Sequence, residues 1–123
     1  MQFIIKPQKI LSYYGYLKHS RRGYKYITRE GLKYQEFIRN EIAKIMHEND
    51  WSLMEGELQL DINYHFKGGR RRDLDNCDKV LFDVMTGIVY KDDAQIFCRN
   101  GYKRMYCDEE IIFMKFTAYQ YSA

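Results

Sequence analysis

Apolar residues along this chain recur with two different periods, and the changes of period divide it into elements. From Glu57 to Phe66 the alternation is unbroken. Leu58, Leu60, Ile62, Tyr64 and Phe66 face one way, and Glu57, Gln59, Asp61, Asn63 and His65 face the other, which predicts a half-buried strand. From Arg29 to Asn49 the period lengthens, with Leu32, Tyr34, Ile38, Ile42, Ile45 and Met46 forming one stripe. That is the pattern of an amphipathic helix, and Thr28 is its natural N-cap. A second helix fits Asp75 to Thr86, with Cys77, Val80, Leu81 and Val84 on one face and Gly87 as its stop. Short strands are expected at Phe3 to Lys6, Ile88 to Tyr90, Ala94 to Arg99 and Glu110 to Tyr119. The last is apolar on both faces, which suits the interior of a sheet or a subunit contact. The stretch from Pro7 to Thr28 keeps neither period and reads as a long loop, a kind of segment that usually carries function. Strand, helix, strand, helix and then strands is the order of an α+β domain with a helix layer on one sheet.

The chain's 123 residues, 46% hydrophobic and 30% charged with a single proline, suit one ordered domain and exclude a disordered chain. No apolar run approaches the roughly 20 residues that span a bilayer, and the first residues lack the apolar core of a signal peptide, so a cytoplasmic protein with no membrane partner is expected. Cys77, Cys98 and Cys107 cannot all pair and match no zinc-binding spacing, so reduced thiols are expected. The net charge is only +3, but it is unevenly spread. Residues 1–50 carry ten Lys or Arg against five Asp or Glu, a net of +5, and residues 51–123 carry ten against twelve, a net of −2.

Much of the positive charge lies in the long loop. From Lys6 to Arg29 there are seven Lys or Arg and no acid, interleaved with Tyr13, Tyr14, Tyr16, Tyr24 and Tyr26. Cations such as Lys18, Arg21, Arg22 and Lys25 can hold phosphates while rings stack on unpaired bases, so the segment reads as a nucleic-acid-binding arm. The alternative is a solvated loop whose tyrosines pack over the sheet. Arg70, Arg71 and Arg72 form a second basic run directly beside a group of acids.

Asp73 and Asp75 stand at the entrance to the second helix, where a cap and the helix dipole account for one carboxylate but not for both, nor for Asp78. Asp92 and Asp93 follow the short strand at Ile88 to Tyr90. Alone they read as a solvated turn; if that strand returns beside the second helix, Asp93 faces Asp73 and Asp75. Unit charges about 4 Å apart repel by about 4 kcal/mol at an effective dielectric of roughly 20, so three such acids call for a cation. Oxygen-only ligands suit Mg²⁺, with Mn²⁺ able to substitute, and such an ion can drive phosphodiester cleavage. Lys79, four residues after Asp75, shares its helical face and can either pair with it or hold a scissile phosphate. An EF-hand starting at Asp73 fails because Asp78 and Val84 stand where Gly and Glu are needed. An aspartyl-phosphate motif fails because three arginines replace the apolar strand expected before it.

The run Arg70-Arg71-Arg72-Asp73-Leu74-Asp75-Asn76-Cys77-Asp78-Lys79, then Phe82-Asp83-Val84-Met85-Thr86-Gly87, then Asp92-Asp93-Ala94-Gln95, resembles the signature of RusA-type Holliday junction resolvases. The resemblance implies an α+β fold of two layers, with two main helices on a mixed sheet, and a homodimer. It also implies Mg²⁺-dependent nicking of opposed strands at a four-way DNA junction, with no small-molecule cofactor. By position the metal-binding acids fall on Asp73, Asp75 and Asp93 and the essential lysine on Lys79, with Asn76, Asp83 and Asp92 in support. Three other readings stay open at this point. They are a nuclease for other branched DNA during phage replication or packaging, a catalytically silent junction-binding protein, and a nuclease directed at RNA.

Overall fold

A computed structural model describes residues 1–121 of the chain. The elements in order are β1 (Gln2–Ile5), the single turn α1 (Tyr13–Tyr16), β2 (Leu17–His19), β3 (Lys25–Ile27), α2 (Arg29–Glu48), β4 (Leu58–His65) and α3 (Leu74–Met85). A 3₁₀ turn (Asp93–Gln95), β5 (Ile96–Arg104) and β6 (Ile111–Ala118) follow. Four strands form a mixed sheet in the order β1-β6-β4-β5, antiparallel except for the parallel pair β4 and β5. A parallel pair needs a crossover, and α3 lies in it. Both main helices pack on one face of this sheet, giving the expected two-layer α+β arrangement. None of the described helices is long and apolar enough to cross a membrane.

The core follows from the two periods. Leu58, Leu60, Ile62 and Tyr64 of β4 are buried while every residue between them is half-exposed. Tyr34, Ile38, Ile42 and Met46 of α2 and Cys77, Val80, Leu81 and Val84 of α3 close over them. Thr28 caps α2 as expected, its hydroxyl accepting from Gly31 N at 2.9 Å. Leu32 departs from the expected stripe and is 53% exposed; the small Gly31 takes the buried position, with the Tyr16 carbonyl close above it. β6 is indeed interior, between β1 and β4, and its second apolar face, with Phe113 beside Ile4 of β1, looks away from the helices.

Two segments differ from expectation. The stretch Pro7 to Thr28 is not a structureless loop: it holds α1 and a β2–β3 hairpin, with Leu17, Lys18 and His19 opposite Ile27, Tyr26 and Lys25. Each strand has three residues, too few for an alternation to register. The turn between them closes through Ser20 N to Tyr24 O at 2.7 Å, with Gly23 at φ +85°. Thr28 ties the hairpin back to α1 through its hydroxyl to Gly15 O at 2.8 Å and its amide to Tyr16 O at 2.9 Å. Likewise, Ile88 to Tyr90 is not a strand. Ile88 N and Val89 N both donate to Met85 O at 3.0 Å, and Gly87, at φ +88°, donates to Tyr90 O. These apolar residues therefore finish the end of α3, and only Tyr90 makes isolated bridges, to Met54 and Thr86. β5 accordingly starts later and runs further than Ala94 to Arg99.

All three cysteines are free thiols. Cys77 is buried, and burial pushes its thiol up to about 11, whereas Cys98 and Cys107 are partly exposed. Since the thiolate is the reactive species, a thiol reagent near pH 8 should label at most Cys98 and Cys107 in the folded protein and all three after denaturation. Three rapid equivalents from the native state would contradict the placement of Cys77.

Candidate nucleic-acid interface and acidic site

The two basic segments meet. Lys9, Tyr14 and Lys18 from the arm and Arg70, Arg71 and Arg72 from the loop after β4 line one cleft of about 510 Å³, which Asp73 and Asn76 at the start of α3 and Glu30 of α2 also line, Glu30 lying 3.6 Å from the Lys9 ammonium. A single carboxylate holds both walls. The nearly buried Glu110 accepts the backbone amide of Ile10 at 3.1 Å on one oxygen and that of Lys67 at 2.6 Å on the other. Arg72 is fixed further, its guanidinium 5.3 Å from the Phe66 ring centre and its carbonyl accepting from Lys103 Nζ at 2.7 Å. Of the expected phosphate-binding residues, Lys18 and the three arginines line the cleft. Arg21, Arg22 and Lys25 are exposed on the hairpin outside it. Lys9 was not singled out by the sequence, because its role depends on the arm folding back.

Asp73, Asp75 and Asp83 are exposed along α3, whereas Asp78 is not. Asp73 is the N-cap residue by backbone, yet its side chain caps no amide; Asn76 Nδ2 lies 3.4 Å from its Oδ2 instead. Capping therefore does not use this carboxylate. Asp75, in the first turn, accepts from Arg99 Nη2 at 2.6 Å. Asp78 is buried on the inner side of α3, where it receives the Tyr64 hydroxyl. Arg99 Nε lies 3.3 Å from Asp78 Oδ2, an ion pair without the alignment of a hydrogen bond. Desolvation raises the Asp78 carboxyl, opposed by the Tyr64 hydrogen bond and by Arg99.

Lys79 and Asp83 follow Asp75 at successive turns, so Asp83 lies about 12 Å further along the axis. The Lys79 ammonium sits 4.9 Å over the ring centre of Tyr13, joining α3 to the arm. Burial raises the Asp83 carboxyl and Asp93 raises it further, while Lys79 lowers it. Asp93 thus bears on Asp83, about two turns along α3 from Asp75, and among the described residues it does not gather with Asp73 and Asp75 as the sequence led one to expect. It heads the 3₁₀ turn, whose geometry is fixed by its neighbours. Asp92 accepts from Ala94 N at 2.9 Å, and Gln95 Oε1 accepts from the amides of Lys91 and Asp92. Gln95 Nε2 bonds Met54 O and Gly56 O, both at 3.0 Å.

Among the described residues no three His, Cys, Asp or Glu side chains gather into a group that could hold a metal ion. The donor chemistry still fits a hard divalent cation. The candidate donors are exposed carboxylate oxygens, one of them on an N-cap residue whose side chain is not used for capping and another paired with Arg99, while Asp93 raises the Asp83 carboxyl and Lys79 lowers it.

The sequence did not single out Arg99 or Tyr64. A signal was present: Asp78 interrupts the apolar face of α3 beside Cys77 and Leu81, and an acid there requires a partner across the sheet.

Comparison with known proteins agrees with this architecture. The family described as Endodeoxyribonuclease RusA matches residues 15–111. A crossover junction endodeoxyribonuclease RusA from Shigella sonnei is 33% identical over 82 residues, covering 66% of this chain and 65% of the relative. Its counterpart from Escherichia coli K12 is 32% identical over the same span, and that of Enterobacteria phage 82 is 34% identical. The matched region is thus slightly under two thirds of the relatives' own length. The family match, residues 15–111, takes in the arm from Gly15, the arginine run, the α3 acids and the 3₁₀ turn, and by this match the chain belongs to the RusA family.

Proposed function

We propose that the protein is a divalent-metal-dependent endodeoxyribonuclease that resolves Holliday junctions by paired nicking of opposed strands. The observation that carries this reading is the basic cleft opening directly onto Asp73. A phosphate backbone drawn in by Lys9, Lys18 and the three arginines is delivered to the acidic entrance of α3, which the acids alone would repel. Tyr14 offers a ring for an unstacked base at the junction centre.

In this reading Asp73 and Asp75 at the head of α3, together with Asp93 of the 3₁₀ turn, would hold Mg²⁺, or Mn²⁺ in its place. When bound, the ion would supply an activated water and offset charge on the phosphodiester. Lys79 holds a non-bridging oxygen of the scissile phosphate, and Tyr13 keeps the ammonium over α3 until DNA arrives. Asn76 orients Asp73, Asp92 fixes the turn that aims Asp93, and Asp83 balances the charge on Lys79. The protein acts as a homodimer, since two cuts at a roughly two-fold symmetric junction call for two sites related by the same axis.

Incubating the purified protein and Mg²⁺ with four-way, three-way, flap and linear DNA of matched sequence tests this. Symmetric nicks in the four-way junction are expected, with the other substrates cut more slowly. Preference for linear duplex would sink the resolvase reading, and preference for flaps or three-way forks would move it to other branched DNA.

A further inference from the structure

Arg99 stands outside every motif in the sequence, yet its guanidinium meets two acids of α3, Asp75 and Asp78. It reaches from β5 to α3, with Phe82 beside it at 6.0 Å from the ring centre. It meets two carboxylates of opposite character. Asp78 has 1% side-chain exposure and is already bound to Tyr64, whereas Asp75 has 73%. The buried acid anchors the cation, because leaving Asp78 without it would strand a charge out of water. The exposed acid is held from that anchor, at 2.6 Å.

We infer that Arg99 is a positioning residue that holds Asp75 while the site is metal-free and weakens divalent-cation binding by competing for the same carboxylate. The inference rests on the metal reading of Asp75 given above. A guanidinium cannot shed its proton, and Asp78 prevents it from swinging far, so its charge stays beside any cation that Asp75 accepts. Ordering one short exposed side chain helps a metal bind only slightly. Repulsion between a fixed cation and a dication in contact with the same carboxylate is the larger effect, even after screening by water. Arg99 therefore lowers metal affinity in the free protein.

Titration of the full chain with Mn²⁺ in the absence of DNA, followed by calorimetry, tests this apart from activity. Arg99→Gln should bind Mn²⁺ about tenfold more tightly than the parent, the size of an ordinary coupling between two sites. Asp75→Asn should remove that binding in both backgrounds. Equal or weaker binding by Arg99→Gln, with binding by the parent still dependent on Asp75, overturns the role of Arg99 and leaves the metal reading standing. Binding that ignores Asp75 in both backgrounds overturns the metal reading and this inference with it. If Arg99→Gln alone fails to fold, Asp78→Asn combined with Arg99→Gln leaves a neutral partner for Tyr64 and no stranded charge, and the same outcomes decide.

Discussion

Asparagine at position 75 should abolish strand cutting while leaving four-way junction affinity and the melting temperature nearly unchanged. Losing a metal ligand forfeits several kcal/mol of transition-state charge stabilisation. At about 1.4 kcal/mol per tenfold in rate, this is a loss of about a thousandfold. The substitution is close to isosteric and removes a negative charge, so a polyanion is repelled less. Among the described residues the partner it weakens is Arg99, in a pair whose carboxylate is 73% exposed. Such pairs contribute under about 1 kcal/mol. Single-turnover cleavage, gel-shift affinity and thermal melting separate the three quantities. Undiminished cutting removes Asp75 from the chemistry; a parent protein that binds junctions but never cuts them is the silent binder.

The second large effect concerns the arginine run. Each cation–phosphate contact contributes a slope of about 0.9 to the dependence of log affinity on log salt. Replacing Arg70, Arg71 and Arg72 together by Gln should therefore flatten that dependence by up to about 2.7. At about 1 kcal/mol for each exposed pair, affinity near 50 mM salt should fall by roughly a hundredfold. Arg72 also packs on Phe66, so the Arg70 and Arg71 double substitution serves as a control free of that packing and should flatten the slope by about 1.8. An unchanged slope in both variants would mean that phosphates lie elsewhere, with the hairpin cations Arg21, Arg22 and Lys25 as the alternative.

Long periodic elements were legible in the chain because burial alone dictates them: β4 reads directly from its alternation, and α2 and α3 from their stripes. The arm was recognised by charge and aromatic content, but its hairpin was not, since three-residue strands leave no period. Ile88 to Tyr90 misled because apolar residues closing a helix end have the same composition as a short strand. The α3 acids and the basic run were legible as a local motif. What escaped was the long-range part of the site: Arg99 reaching Asp75 and Asp78, Tyr64 meeting Asp78, and Glu110 bonding two distant backbone amides. Those contacts depend on the strand order, which puts β5 at the edge of the sheet and brings Arg99 opposite Leu60.

The parallel pairing of β4 with β5 makes the connection between them the part of the chain that carries the arginine run, the α3 acids and the 3₁₀ turn. Beyond a bulge between Leu58 and Gln59, the β4–β5 ladder runs unbroken from Gln59 opposite Cys98 to His65 opposite Arg104, and it anchors both strands that the connection joins. Inserting or deleting one residue within α3 must re-aim the part of the helix beyond it by about 100° and 1.5 Å. Every charged group on it would be re-aimed together. Length changes at the Ser20 to Gly23 tip leave this register untouched, so variation in chain length is expected to accumulate there and to be rare within α3.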